Sequence, residues 1–319
     1  MAVVDPRQQR TLIRFMLLSL GAAVATIVLK LIAAAITGSV GLPSDAMESG
    51  VNLVAAIVAL WALRLAARPP DAVHQFGHGK AEYLSAAVEG GMVFVAATVI
   101  VVTSIRRLVH PEPLQSAGLG LAVSTLASGV NLAVGLALLR AGRRHRSITL
   151  EADGKHLLTD VVTSGGVLVG VALVAIFDVD VLDPIVALLV GVNILFTGRQ
   201  LLRRSISGIL DAALPNDDVA EIDTLLERYR SEGIDFHALR TRESGRQRFV
   251  YVHLLVPDDW TVKHGHDTAE RFKADLAAVL PGVVTFVHVE PRGDPASYGH
   301  DQLYPHVPPL DPPNDNRDH

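Results

Sequence analysis

Six runs of this sequence are apolar and long enough to cross a lipid bilayer, which takes about 20 helical residues. They cover residues 12–36, 42–66, 83–105, 117–139, 149–177 and 181–202. A bilayer offers backbone groups no water to bond, so each run is expected to form an α-helix that satisfies its own amides and carbonyls. Residues 1–210 are therefore predicted to form a membrane domain, an all-α bundle of six transmembrane helices.

The positive charges predict which side of the membrane each loop faces. Lys and Arg concentrate in the cytoplasmic loops of membrane proteins. Here they cluster before the first run, between the second and third, between the fourth and fifth, and after the sixth, whereas the opposite face has only Arg106 and Arg107. Both termini are expected in the cytoplasm, and the protein is expected to be integral to the inner (cell) membrane of a bacterium.

The composition changes after the sixth run. Up to Arg204 there are 17 Lys and Arg against 13 Asp and Glu, and beyond it 11 against 20. Shorter, alternating apolar patterns predict an α+β domain in the cytoplasm over residues 211–292, in the order αββαβ. Its predicted elements are a helix capped by Asn216 and ending near Ser231, strands over 236–241 and 248–256, a helix over 263–280 and a strand over 283–290. Residues 293–319, rich in Pro and Asp, are predicted to be a disordered tail.

Polar residues inside two apolar runs form the first candidate site. In the fifth run, LEADGKHLLTDVVTS, His156 and Asp160 are four residues apart, which puts them on one helix face a single turn apart. The second run carries Glu48 and Asn52 at the same spacing. Either pair alone is equally well explained by a polar patch turned toward protein. Because a charge at mid-membrane depth costs about 2.5 to 3.5 kcal/mol, the two pairs together favour a bound cation.

Two further groups of residues could bind a metal ion. The absence of cysteine limits such ligands to His, Asp, Glu, Asn and water. Asp71, His74 and His78 lie in a short loop after the second run and suit a borderline ion such as Zn²⁺, although solvated side chains in a polar turn are the commoner explanation. The predicted cytoplasmic domain is rich in imidazole, and its candidate ligands are His237, His253, His266, His288 and Glu290.

These motifs together resemble the cation diffusion facilitator family of divalent-metal/proton antiporters, over about residues 11–291. The resemblance rests on TGSVGLPSDAMES, DAVHQFGHGKAEYL, EADGKHLLTDVVTS, ILDAALP, FHALRTRESG and FVHVEP. It implies a transport site on the second and fifth helices, at Glu48, Asn52, His156 and Asp160. The family more often has His or Asp in place of Glu48 and Asp in place of Asn52, so this chain departs from it at both positions.

The resemblance also carries expectations for the other groups. It implies a metal site in the loop at Asp71, His74 and His78, and a hinge pair of Lys80 and Asp211. It further implies a metallochaperone-like, ferredoxin-like dimerisation domain with a zinc cluster. That cluster would fall on His237, His253, His266, His288 and Glu290, with Glu290 standing where a familiar member has Asp.

The predicted function is efflux of a divalent metal cation in exchange for protons, by alternating access in a homodimer within the bilayer. Zn²⁺ is the expected ion, both as substrate and as a regulatory or structural ion, with Fe²⁺, Mn²⁺ or Co²⁺ as alternatives. No enzymatic activity and no nucleic-acid partner are expected. Two other readings are a membrane-anchored metal sensor and an intramembrane metallohydrolase. The second would need an open metal position and a general base, and the chain has no HExxH.

Overall fold

The computed structural model describes residues 6–37, 41–110, 118–177, 179 and 181–298. Within the helices it leaves out the side chains of residues 6, 33, 34, 36, 37, 41–49, 51, 118–121, 124, 167, 171 and 175. By internal contacts the chain divides into two compact units, the first ending at Leu210 and the second beginning at Asp211. Each unit is described by itself.

The first unit consists of six helices. They are α1 (Pro6–Thr37), α2 (Gly41–Ala66), α3 (Ala81–Val109), α4 (Gly118–His145), α5 (Ile148–Phe177) and α6 (Leu182–Ile209). Five of them contain described segments long and apolar enough to cross a membrane, and α2 contributes the shorter apolar segment Asn52–Ala66. Large apolar side chains such as Leu189, Val95 and Phe196 are exposed along these helices, as expected where the surface contacts lipid rather than water.

Small residues allow close packing between the membrane helices. α3 packs mainly against α6, and α4 against α5. Where α4 and α5 meet, a Cβ atom added to Gly154 would lie 2.8 Å from the amide nitrogen of Leu139 and 3.0 Å from the carbonyl oxygen of Gly135. The two backbones can approach this closely because no side chain separates them. Gly154 also lies between Asp153 and His156 in sequence, so this contact fixes the part of α5 that carries the candidate ligands.

The second unit has the order α7 (Asn216–Ser231), β1 (Asp235–Ser244), β2 (Gln247–Val256), α8 (Val262–Val279) and β3 (Val283–Pro291). In its sheet β1 pairs antiparallel with β2, and β2 pairs parallel with β3. Both helices bury apolar faces against the strands, and the rings of Tyr229, Phe236 and Phe272 meet in the core. The predicted class of fold, a helical membrane region followed by a small α+β domain of order αββαβ, is confirmed.

Three details of the second unit differ from the sequence-based prediction or extend it. Asn216 does not cap α7: Pro215 occupies the cap position, with φ −54° and ψ 148°, and Asn216 is the first helical residue. β1 extends to Ser244, beyond the predicted end at residue 241. In the predicted tail, Pro295–Tyr298 forms a short 3₁₀ helix, and residues 299–319 lie outside the described residues.

The tight contact at Gly154 predicts a measurable loss of stability on Gly154→Ala. An added methyl group must push α4 and α5 apart, and overpacking of this kind costs about 1 to 3 kcal/mol. Gly165→Ala on the same helix is the matched control, because a Cβ atom there meets nothing within 4 Å. Thermal unfolding in detergent should show a lower Tm for the first variant only. Equal Tm values for the two variants would contradict the close contact.

Candidate functional site

Three of the predicted transport-site residues form one hydrogen-bonded group inside the membrane unit. Asn52, on α2, donates a hydrogen bond from Nδ2 to Oδ2 of Asp160 at 2.6 Å. Its Oδ1 lies 2.7 Å from Nε2 of His156, so the imidazole donates to the amide oxygen. Asn52 therefore links the two α5 residues across the helix interface, and it uses both ends of its amide to do so.

This group lies at the polar end of a cavity of about 510 Å³ between α2, α3 and α5. Its remaining wall comes mostly from apolar residues of α3, among them Val88, Met92 and Ala96. His156 is only 7% exposed, and its Nδ1 atom has no hydrogen-bond partner among the described residues. A buried polar atom without a partner, on a residue that lines a cavity, is typical of a site that takes up a ligand.

Glu48 is the fourth residue predicted for this site. It lies one helical turn before Asn52 on α2, but its side chain is outside the described residues. Thr159 and Met92 also line the cavity and were not singled out by the sequence. Thr159 could have been found from its place on α5, three residues after His156, whereas Met92 lies in an apolar run with no distinguishing signal.

The loop residues Asp71, His74 and His78 are also brought together. One ligand atom from each lies within 4.8 Å of the others. The Asp71 carboxylate is 3.3 Å from Nδ1 of His74 through Oδ1 and 3.3 Å from Nε2 of His78 through Oδ2. The backbone amide of His74 donates to Asp71, and this hydrogen bond is the main reason that the pKa of Asp71 lies below its usual value. Gly77, at φ 84°, supplies the left-handed residue that the turn requires.

Strand register explains how the candidate ligands of the second unit meet. This unit, which begins at Asp211, is the predicted cytoplasmic domain and is called the cytoplasmic unit below. His237 on β1 is paired with His253 on β2, which is paired in turn with His288 on β3. The three imidazoles therefore form a row across the sheet, and Glu290 lies two residues beyond His288 on the same face. A register shift, with Ala238 at φ 51°, interrupts the pairing of β1 with β2 directly after His237, and the pairing resumes at Arg240.

Glu290 is the centre of this group. Its Oε2 lies 2.8 Å from Nε2 of His237 and 3.0 Å from Nδ1 of His253, and its Oε1 lies 3.5 Å from Nδ1 of His288. Burial alone would raise the pKa of Glu290, but its contacts with His237, His253 and His288 outweigh that effect, so the pKa is lowered. Burial lowers the pKa of His253. Both groups are therefore unprotonated at neutral pH, as metal binding requires.

The remaining predicted residues are placed differently. His266 is exposed near the start of α8, and the group formed by His237, His253 and Glu290 does not include it. Nζ of Lys80 donates to the carbonyl oxygen of Ile209 at 2.9 Å, within the membrane unit. Asp211, at φ 60°, accepts from Nη1 of Arg242 at 3.0 Å, within the cytoplasmic unit. A role for His266 and the pairing of Lys80 with Asp211 stay predictions, and a charge exchange between the latter two would test the pairing.

Comparison with known proteins gives a family for this arrangement. Residues 16–210 match the cation efflux transmembrane domain, and residues 214–292 match the cytoplasmic domain of cation efflux proteins. The uncharacterized transporter sll1263 of Synechocystis sp. is 48% identical over 302 residues, which cover 94% of this chain and 97% of that relative. The cation-efflux pump FieF of Klebsiella pneumoniae is 32% identical over 270 residues, which cover 84% of this chain and 89% of that relative. A solved chain of CzrB in its Zn form is 35% identical over 26% of this chain and 93% of that chain, with a TM-score of 0.24.

The matches to both cation-efflux domains, together with the apolar helices of the first unit, identify this chain as an integral membrane transporter of cations. The chain belongs to the cation diffusion facilitator family. Members of this family are transporters and not enzymes, so the expectation of no enzymatic activity is confirmed and the metallohydrolase alternative is excluded. The matched cytoplasmic domain is the dimerisation domain of the family, which implies a homodimer.

The cytoplasmic group predicts that Zn²⁺ stabilises this unit. Zn²⁺ at about 100 times its Kd should add about 2.7 kcal/mol to the free energy of unfolding. The fragment of residues 211–298, which has its own hydrophobic core, should therefore show a higher Tm with Zn²⁺. His253→Ala should abolish most of the increase.

His264→Ala is the matched control, because His264 lies at the same end of α8 as His266 but stacks on Trp260. It should respond to Zn²⁺ as the unsubstituted fragment does. His266→Ala decides whether that residue is a ligand. A full response in His253→Ala would count against a metal site on the sheet.

Proposed function

We propose that this transporter exports Zn²⁺ from the cytoplasm in exchange for protons, as a homodimer that alternates between inward- and outward-facing states. The observation that carries the proposal is the hydrogen-bonded group of Asn52, His156 and Asp160 at the end of a cavity inside the helical unit. Ionisable residues within membrane helices that face a cavity are characteristic of ion and proton pathways. Half-buried polar groups on two packed helices also suit a site that changes access as the helices move.

The charges of the site support exchange with protons. Glu48 and Asp160 carry two negative charges when ionised, and Asn52 and neutral His156 add none. A divalent cation therefore makes the site neutral. When the cation leaves, two carboxylates remain in a medium of low dielectric constant, which favours uptake of protons by the carboxylates or by His156. Metal and protons would thus replace each other at one place.

The donor atoms favour Zn²⁺ without excluding its neighbours. Imidazole nitrogen and carboxylate oxygen are common zinc ligands, and they also bind Fe²⁺, Mn²⁺ and Co²⁺. Asn52 adds a neutral carbonyl oxygen, so the site is less negative than one with Asp at that position. FieF, a relative with 32% identity, is named as a cation-efflux pump, which supports the direction of transport.

The loop group and the cytoplasmic group are proposed as regulatory or structural zinc sites. Their His and carboxylate donors fit Zn²⁺, and His237, His253 and Glu290 would hold it on the sheet. An ion bound by His237, His253 and Glu290 would cross-link strands β1, β2 and β3. Both termini and the cytoplasmic unit are proposed to face the cytoplasm of a bacterial cell, since Arg64 and the Arg143–Arg144 pair lie at helix ends on that side.

Asp160→Ala tests the function directly. The substitution removes one of only two carboxylates proposed to face the ion. Zn²⁺ uptake into liposomes loaded with a metal-sensitive dye should fall by roughly 100-fold or more, because loss of a mere supporting residue already costs about 10- to 100-fold in metal affinity.

Thr163→Ala is the matched control for this measurement. It lies three residues later on α5, and its hydroxyl donates to the backbone carbonyl of Asp160 rather than to its carboxylate. This variant should transport normally. Size-exclusion chromatography checks that both variants keep the oligomeric state of the original protein. Normal flux through Asp160→Ala would refute the site.

Asn52→Asp tests whether this residue sets the choice of metal. The change takes the empty site from two negative charges to three and places a carboxylate 2.6 Å from the Asp160 oxygen. We expect tighter binding of divalent ions at neutral pH, a steeper dependence of flux on pH, and a changed ranking of Zn²⁺, Fe²⁺ and Mn²⁺. Competition between these ions in liposomes measures the ranking. An unchanged ranking and pH profile would mean that Asn52 only links its neighbours.

A further inference from the structure

A second pair of carboxylates lies deep inside the membrane unit. Glu89 on α3 is 1% exposed and Asp153 on α5 is 2% exposed. The two helices pack against each other, and the carboxylates are close enough to interact electrostatically. Asp153 occupies the same offset from His156 as Asp45 does from Glu48. The transport site described above uses neither Glu89 nor Asp153.

Each carboxylate has an oxygen atom that is buried without a hydrogen-bond partner among the described residues. These atoms are Oε2 of Glu89 and Oδ2 of Asp153. The neighbours that act on Glu89 are Asp153 and Ser85, whose hydroxyl is 3.5 Å from Oε1. Those that act on Asp153 are Ser19 on α1 and, on its own helix, His156 and Asp160. Outside the pair itself, the charged or titratable groups that act on it are thus one acidic residue, Asp160, and one imidazole, His156.

Such an arrangement cannot hold two full negative charges cheaply. A buried ionised carboxylate is costly unless it is paired, and two neighbouring carboxylates raise the cost for each other. Pairs of this kind commonly share one proton, which lies between them or alternates from one to the other. The two unpartnered oxygen atoms are the positions at which a proton would satisfy the pair.

The pair is also placed to sense the ion. Asp153 is three residues before His156 and seven before Asp160, about 10 Å along the helix axis from the latter. In a low-dielectric interior, a divalent charge at that distance acts strongly on a neighbouring proton. Binding of the cation therefore favours release of a proton from the pair to water, and departure of the cation favours its return. One O–H bond is broken or formed at each step, and no other group is transferred.

We infer that Glu89 and Asp153 form a proton-carrying pair, separate from the metal ligands, that gives up one proton when the divalent ion binds at Asn52, His156 and Asp160. The inference rests on the proposed exchange of metal for protons and adds a second proton site to it. A purely structural pair, protonated at all times, would release nothing when the ion binds.

The test counts protons released on binding of Zn²⁺ to the full-length protein in detergent, using a pH indicator in weak buffer. Because the loop and cytoplasmic groups are also proposed to bind Zn²⁺, each proton count is the number released by a protein minus the number released by the same protein carrying Asp160→Ala. Glu89→Gln should lower this difference by about one proton per Zn²⁺. Glu89→Asp, which keeps a carboxylate, should restore it.

Glu82→Gln is the matched control. Glu82 lies on the same helix and is equally buried, but Oε2 accepts a hydrogen bond from the hydroxyl of Ser147 at 2.6 Å. This variant should release as many protons as the unsubstituted protein. If Glu89→Gln does not fold, Asp153→Asn removes the other member of the pair and should give the same loss.

The possible results separate the inference from the proposed function. If the unsubstituted protein binds Zn²⁺ without releasing protons, the proposed exchange fails, and the inference fails with it. If it releases protons and neither Glu89→Gln nor Asp153→Asn changes their number, the inference alone is overturned. A loss of about one proton in both variants, with the control unchanged, supports the pair as a proton carrier.

Discussion

Burial of polar groups in a low-dielectric helical bundle is the constraint on which the rest of this molecule depends. Asn52, His156 and Asp160 can lie between α2 and α5 because the amide of Asn52 bonds both partners. Without such bonds, each buried polar group would cost several kcal/mol. The close α4–α5 contact at Gly154 packs the part of α5 that carries His156, and the cavity of about 510 Å³ lies beside the hydrogen-bonded group.

The sequence predicted the bundle well, because length and apolar composition decide which segments can span a membrane. The spacing of His156 and Asp160 also predicted a shared helix face. It did not predict that Asn52 would donate to Asp160, since that bond depends on how α2 and α5 pack. Glu89 was not singled out, because it has no ligand-spaced partner on its own helix and its partner Asp153 lies on another.

The cytoplasmic unit shows the same division between local and non-local information. The apolar periodicity of the chain predicted the order αββαβ. Alternation along the last strand predicted that His288 and Glu290 share one face. The row formed by His237, His253 and His288 depends on strand register, which no single strand reveals. His266, the remaining predicted ligand, is exposed near the start of α8, and its role stays a prediction.

The side-chain amide of Asn52, which links His156 and Asp160, also affects which ions can bind at this site. The amide of Asn52 already bonds Nε2 of His156 and Oδ2 of Asp160, so an ion that binds to these atoms must break both hydrogen bonds. The bond to the Asp160 carboxylate is worth about 1.5 to 3 kcal/mol, and the bond to the neutral imidazole about 0.5 to 1.5 kcal/mol. A divalent ion with strong affinity for imidazole nitrogen and carboxylate oxygen offsets this cost. The hydrogen bonds of Asn52 therefore set a minimum binding strength for any ion that takes their place.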